Sequence, residues 1–526
     1  MHTFVTGSTG SGKSNTVYEI LRQLDAVGIH YLVVEPAKGE YKNVFGHKPG
    51  VSVLGTNPAY TSLLRINPFK FPKGIHVLEH VDRLVEIFNV CWPMYAAMPA
   101  VLKEAVLQAY EVCGWDLVNS VNHVDDDLYP TFKDLLTELV DVIDKSAYDQ
   151  EVKSNYKGSL ETRVKSLTNG LNGQLFSINE IDNHILFDTN VIVDLSRVGS
   201  LETKALLMGI VVMRLNEYRM TNAQGMNIPL RHVTVLEEAH NILKRTSTEQ
   251  NIDSANVSGK SVEMLSNAIA EMRTYGEGFI IADQSPSAVD ISAIRNTNTK
   301  IIMRLPDETD RHLAGKSAAL KDEQLDEIAK LPRGVAVVYQ NDWLEPVLCK
   351  IRKYSGKETP YVYNGSDDIL MARDSTRFER ELLKLLLKGR VVEPIDVDID
   401  RIDADLPFAD ISTKNKIKVY LLLSEYRKTG KLALWSDSQF ETLASMVGEL
   451  FNIKNKVNRY VLDSNDYDEL SRCLCAGVEE RVCEPSQELS LAISQCLMKD
   501  FSLDSEQNLS IYAAWRESVL KRGAML

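Results

Sequence analysis

GSTGSGKS, residues 7–14, is a full phosphate-loop pattern: Gly7, four residues, then Gly12-Lys13-Ser14. The stretch before it, HTFV, is apolar and β-branched and suits a short buried strand. The stretch after it, NTVYEILRQLDAV, sets Val17, Ile20, Leu21 and Leu24 on one helical face. Strand, glycine loop and helix is the context this pattern requires. Its glycines let backbone N–H groups turn inward around phosphate oxygens, and the helix N-terminus adds its dipole. Gly7, Ser8, Thr9, Gly10, Ser11, Gly12, Lys13, Ser14 and Asn15 are therefore expected to bind ATP. Lys13 would reach the β- and γ-phosphates, and the Ser14 hydroxyl would hold Mg2+.

The 526 residues are 44% hydrophobic and 25% charged, an ordinary globular balance over two or three domains. No apolar run reaches membrane-spanning length, and the phosphate loop sits where a secretory signal would be. The expected location is the cytoplasm, with no membrane partner. Seven cysteines are scattered, and Cys473, Cys475, Cys483 and Cys496 lack the C-x2-C knuckles of common zinc sites. They read as helical thiols in a reducing compartment. The net charge of −14 does not advertise nucleic acid binding, although a local basic channel is compatible with it.

Along the chain, IHYLVVE ends a second strand at Glu35, and residues 41–184 turn mostly helical. Thr131 reads as the N-cap of TFKDLLTELVDVI. Strands return at 190–196, 232–240, 278–284, 300–305, 334–340 and 346–353, with a long buried helix from Leu201 to Tyr218. This alternation predicts an α/β core with a mainly parallel sheet flanked by helices, built from 1–40 and 185–353 around a helical insertion at 41–184. Residues 354–526 read as a helical accessory region. Within it, 393–410 holds seven acids and one arginine and reads as a solvated linker.

Two further elements carry chemistry. In VLEEAH, an apolar strand delivers Glu237 to the place of a Mg2+-linked acid. Glu238, the next residue, is the candidate general base or water-positioner. Aspartate is usual at the first position, and the longer glutamate leaves room for a water-mediated metal contact. In DQSPSA, Gln284 is a polar tip beside those acids, suited to sensing the γ-phosphate.

GSTGSGKS, LEEAH, EMRTYGEGFIIADQSPS and NTNTKIIMRL, in this order, resemble the HerA branch of the FtsK–HerA superfamily. EPAKGEY and KGSLETRVKSLTNG also resemble segments of that branch, and the likeness covers about residues 1–350. The resemblance implies a RecA-like ATPase core, a hexameric ring, and ATP-driven translocation of double-stranded DNA through a central pore. It also implies a nuclease or other effector partner, in DNA processing or anti-phage defence. The trans-acting arginine of the family matches Arg273, with Lys300 and Arg304 as the next candidates. Members carry a small β-barrel before the phosphate loop. None is seen here, so a barrel-less form or a trimmed start is expected, with the region after 353 as the docking surface.

DNA contact is expected on two basic loops. One is 153–165, with Lys153, Lys157, Arg163 and Lys165 around Tyr156; the other carries Arg295 and Lys300. Such side chains grip phosphates without reading sequence. Two other readings stand beside the translocase: a nucleotide-gated scaffold that assembles an effector with little translocation, and a protein-pumping ATPase of the type IV secretion kind.

Overall fold

The computed structural model describes residues 2–223, 225–245, 257–365, 375–387, 397–409, 411–432, 434–436, 438–480, 482 and 487–521. It divides into two compact units, one formed by 1–111, 117–120 and 130–371, the other by 112–116, 121–129 and 372–526.

The strands are, in chain order, β1 (His2–Thr6), β2 (His30–Glu35), β3 (Val51–Gly55), β4 (Ser62–Leu63), β5 (Trp115–Asp116), β6 (Val121–Asn122), β7 (Asn190–Asp194), β8 (His232–Glu237), β9 (Glu277–Asp283), β10 (Thr299–Ile302), β11 (Val335–Gln340) and β12 (Val347–Lys350). Ten of them form the sheet of the first unit, ordered β12-β11-β10-β1-β9-β8-β2-β7-β3-β4. All neighbours pair in parallel except β10–β11 and β11–β12. The strands β7, β8 and β9 are buried at every position, as expected when both faces of a parallel sheet are covered. This is the mainly parallel, helix-flanked α/β fold that the alternation of elements predicts.

The first helix, α1 (Lys13–Ala26), leaves β1 and crosses past β9 and β8 to reach β2. Its buried Val17 and Leu21 pack with Val5, Tyr31, Val33, Val235 and Ile280 from one face of the sheet. The long helix Leu201–Asn222 is buried almost all round, from Ala205 to Glu217. Thr131 caps the helix Phe132–Lys145 through a reciprocal bond with Asp134, which also answers the backbone N–H of Thr131 at 2.8 Å.

Sequence and structure differ in three stretches. The stretch read as a helical insertion carries, after a short helix Tyr41–Phe45, the strands β3 and β4, which extend the main sheet; both are short, and β4 has only two residues, below what a periodicity reading resolves. The basic stretch 153–165 is not a loop: it runs through the helix Gln150–Tyr156, a π-turn over Lys157–Glu161 and the helix Thr162–Thr168. Part of the segment read as an acidic linker is packed structure, with a helix over Ile399–Asp405 and a tight turn over Leu406–Phe408. Ile402 and Leu406, one turn apart, are fully buried in the core of the second unit, while Asp400 and Asp403 face outward to Arg427. Residues 393–396, Asp410 and Cys483 lie outside the described residues. Among the described residues Cys473, Cys475 and Cys496 form no disulfide.

The second unit has its own apolar core, with Trp515, Leu443, Leu474 and Ile493 fully buried. No described helix is long and apolar enough to cross a membrane.

A buried ion network joins the helix Val77–Cys91 to the long helix. His80 Nδ1 lies 3.0 Å from the Glu217 carboxylate, its Nε2 lies 3.0 Å from the Pro68 carbonyl, and Arg83 adds a bond to Glu217 at 3.2 Å. Burial would raise the Glu217 carboxyl, but His80 and Arg83 outweigh it and hold the group below its ordinary value. Glu217→Ala leaves the buried His80 ring and the Arg83 guanidinium without their shared carboxylate and is expected to cost about 3–5 kcal/mol, seen as a lower midpoint of thermal unfolding. Glu217→Gln, which can still accept hydrogen bonds, should lose less. An unchanged midpoint in the alanine variant would show the network to be dispensable.

Candidate nucleotide site

Five adjacent strands end in a row of polar side chains: Thr6 on β1, Asp283 on β9, Glu237 on β8, Glu35 on β2 and Asp194 on β7. The carboxyl edge of an open parallel sheet is where such folds receive ligands. Four consecutive strand tips are therefore buried carboxylates, and each needs donors to be tolerated there.

The donors come from three turns. Lys13, at the start of α1, places Nζ 2.8 Å from Glu237 and 3.7 Å from Glu238. Burial would lower its ammonium, but Glu237 and Glu238 overcome that and hold it above its ordinary value. The turn after β8 serves Asp283, and the turn after β2 serves Glu35, Glu237 and Asp194. Glu35 accepts the backbone N–H of Glu40 at 2.8 Å and of Tyr41 at 3.1 Å. The Tyr41 hydroxyl donates to Glu237, and Lys42 pairs with Asp194. Burial pushes the Glu35 carboxyl up to about 8, against the pull of its two backbone donors.

The phosphate loop is pinned from below. Ser8 N–H donates to the Arg304 carbonyl at 2.9 Å, and Gly334 N–H donates to the Ser11 carbonyl at 2.9 Å. A Cβ on Gly7 would stand 2.7 Å from Met303 Cβ, so only glycine fits there. Gly12 enters the helix at φ 112°, a left-handed value that favours glycine. The first closed turn is Thr16 N–H to Gly12 carbonyl, 3.0 Å, which leaves the amides of Lys13, Ser14 and Asn15 ahead of any helical partner. A cradle floored by glycine, open amides at a helix start and a buried lysine fit a nucleotide's phosphate groups, and the neighbouring carboxylates fit the cation that accompanies them. Asn15 points elsewhere. Its side-chain amide binds the Arg352 carbonyl at 3.1 Å and the Tyr354 N–H at 2.8 Å, tying the chain after β12 to α1.

Glu238 follows β8 in a left-handed conformation, φ 45° and ψ 52°, unusual for a residue other than glycine. Its carboxylate accepts Gln284 Nε2 at 2.6 Å, and Gln284 Oε1 accepts the Thr9 hydroxyl at 2.8 Å. Gln284 thus bridges Glu238 to the phosphate loop. Asp283 holds the turn in place by accepting both the backbone N–H and the Nδ1–H of His240 at 2.9 Å. The bond to Asp283 raises the His240 imidazole, against a lowering by burial. Glu35, Tyr41, Asp194, His240 and Asp283 were not assigned roles from the sequence, although EPAKGEY, NVIVDLS, LEEAH and ADQ all contain them. The available signal was their position: each is the last residue of a strand or lies in the turn that follows.

Arg273 lies away from this edge. It sits in a short turn before β9, exposed, 3.4 Å from Asn298 Oδ1, and pairs with neither Glu271 nor Glu277 among the described contacts. The seven residues of β9 separate it from Asp283, roughly 20 Å. Lys300 is corrected as both a finger and a DNA contact: it is buried within β10, bonded to the Thr297 carbonyl, and lowered by burial. Arg304 stands beside its own phosphate loop, where its carbonyl holds Ser8. The expected DNA-gripping residues are also partly occupied. Lys157 pairs with Asp144 and Arg163 with Glu202, while Tyr156 is buried and accepts the Ala97 N–H.

The fold and this edge define a RecA-like P-loop NTPase. Residues 1–215 match the family model described as "Helicase HerA, central domain". The DNA double-strand break repair helicase HerA of Sulfurisphaera tokodaii is 23% identical over 366 residues, covering 68% of this chain and 66% of the relative. The protein of the same name from Sulfolobus acidocaldarius is 23% identical over 400 residues, 73% of this chain and 70% of the relative. This chain thus spans about two thirds of the length of these curated relatives. Among solved structures, VirB4 of Thermoanaerobacter pseudethanolicus shares the fold with a TM-score of 0.52 and 18% identity, over 67% of this chain and 90% of that one. Over its first 215 residues the chain is therefore similar to the central domain of HerA helicases.

Asp283→Ala removes both holds on the turn that carries Glu238. Turnover is expected to fall by roughly 10²-fold while the KM for ATP stays nearly constant, measured by steady-state hydrolysis. A rise in KM with unchanged kcat would place Asp283 in binding rather than in alignment of Glu238.

Proposed function

We propose that the protein is a cytoplasmic, ATP-driven translocase of double-stranded DNA that works as a ring, most simply a hexamer. The observation that carries this reading is the divided site. Lys13, Glu237, Glu238 and Gln284 meet within one chain, whereas Arg273, the match to the family's trans-acting arginine, is exposed at the opposite edge of the sheet. A neighbour's Arg273 would complete the site.

In the assembled site Lys13 turns from Glu237 to the β- and γ-phosphates. Ser14 and Glu237 hold Mg2+, which offsets phosphate charge when bound. Glu238 orients and deprotonates the attacking water. Gln284, linked to both Glu238 and Thr9, reports whether the γ-phosphate is present. The guanidinium of Arg273 stabilises charge that develops in the transition state. The family names of the relatives support DNA as the cargo. Arg295 and Lys165, both exposed, remain as contacts to its phosphates. The second unit, with its own core, is the surface on which a nuclease or other effector would dock, in DNA processing or anti-phage defence. The fold shared with VirB4 suits a protein-pumping ATPase equally well, and stimulation by duplex DNA separates the two.

Lys13→Ala should abolish ATP binding. Glu238→Gln should keep binding and lose turnover by about 10²-fold or more, and in the wild-type protein duplex DNA should raise the hydrolysis rate. Turnover indifferent to DNA would count against DNA as the cargo.

The ring itself is tested by mixing. Arg273→Ala should bind ATP and hydrolyse it poorly, with a deficit of about 10³-fold, and Glu238→Gln should behave alike. Mixed rings should regain activity, because some interfaces join an intact Glu238 to an intact Arg273. Mixed rings that form without any recovery would exclude Arg273 as the residue supplied in trans.

A further inference from the structure

The opposite edge of the same sheet holds a second polar cavity, of about 220 Å³, whose lining includes His30, Tyr218, Arg219, Arg231, His232 and Tyr275. The parallel register puts it there. His30 of β2 pairs with His232 of β8, and His232 pairs with Glu277 of β9, so the three side chains stand in a row on one face. The end of the helix Leu201–Asn222 supplies Tyr218 and Arg219.

The acids of this cavity are already committed. Glu277, fully buried, binds His232 Nδ1 at 2.8 Å, Arg219 Nε at 2.9 Å and the Thr234 hydroxyl at 2.8 Å. Asp188 takes Arg219 at 2.6 Å and the Tyr218 hydroxyl at 2.5 Å. What remains is one-sided. His232 is 2% exposed, yet its second ring nitrogen, Nε2, makes no hydrogen bond. The bond from Nδ1 to Glu277 fixes the ring and leaves Nε2 as its unpartnered polar atom. Arg231 and His30 are exposed at the mouth, and among the described residues neither forms an ion pair. A buried polar atom without a partner is costly, and an acceptor-rich ligand removes that cost.

We propose that this cavity is a binding site for one phosphate group, with His232 Nε2 at its floor and the Arg231 guanidinium closing over it. A guanidinium fork beside further donors matches the several oxygens of phosphate better than the two of a carboxylate. The cavity lies a full strand length from the phosphate loop, roughly 20 Å along β8, so it is a separate site from the nucleotide site. The phosphate belongs either to the backbone of bound DNA or to a soluble phosphorylated compound.

The test uses the full chain with Lys13→Ala, which silences the phosphate loop, and inorganic phosphate as the probe in isothermal titration. One saturable site per chain is expected. Arg231→Ala, a change at an exposed side chain that should leave the fold intact, should weaken it at least 10-fold, and His232→Gln should do so as well. Displacement by a 20-base-pair duplex would assign the site to the DNA backbone; displacement by AMP but not by duplex would assign it to a soluble compound. Absence of saturable binding, equal affinity in Arg231→Ala, or equal competition by acetate would overturn the proposal.

Discussion

The structure depends on how four buried carboxylates are tolerated on one sheet edge. Asp283, Glu237, Glu35 and Asp194 stand at the tips of β9, β8, β2 and β7, and buried charges of one sign are unstable unless each is paired or hydrogen-bonded. One lysine, one tyrosine, one further lysine and a set of backbone amides do this work. The loop GSTGSGKS and the turn PAKGEY are therefore needed by the fold as well as by the nucleotide. The arrangement is also poised, since Lys13 is held by the very carboxylates whose charge a bound nucleotide and its cation would compete for.

That arrangement links the site to its surroundings. Tyr41 touches Glu237, its backbone caps Glu35, and its neighbour Lys42 holds Asp194. Gln284 joins Glu238 to Thr9, and Asp283 fixes the turn between them. A change in charge at Glu237 is felt on both sides of β8.

The two edges of the sheet are electrostatic opposites. At the carboxyl edge the buried groups are acids, held by Lys13, Lys42, Tyr41 and backbone donors. At the amino edge Glu277 and Asp188 are saturated by Arg219, His232 and Tyr218, and the spare groups are donors. Parallel strands in register produce this directly, because residues at equivalent heights on neighbouring strands line up on one face.

Much was legible from the sequence alone. The phosphate loop, its flanking strand and helix, the VLEEAH strand and the polar tip at Gln284 are local patterns, written in consecutive residues, and they specify an α/β nucleotide-binding core. The order of these motifs pointed to the HerA branch. Tertiary structure decided what depends on distant pairing. β3 joins the sheet because β7 offers it an edge, and β4 because β3 does. The helical state of 153–165 spends its basic residues on Asp144 and Glu202, which sequence distance concealed. Lys300 looked available as one residue of a basic loop, and it is buried because β10 pairs with β1 on one side and β11 on the other. Local pattern specifies which elements form; which charges meet, and which are left without partners, is set by strand order and register, and these bring together residues hundreds of positions apart.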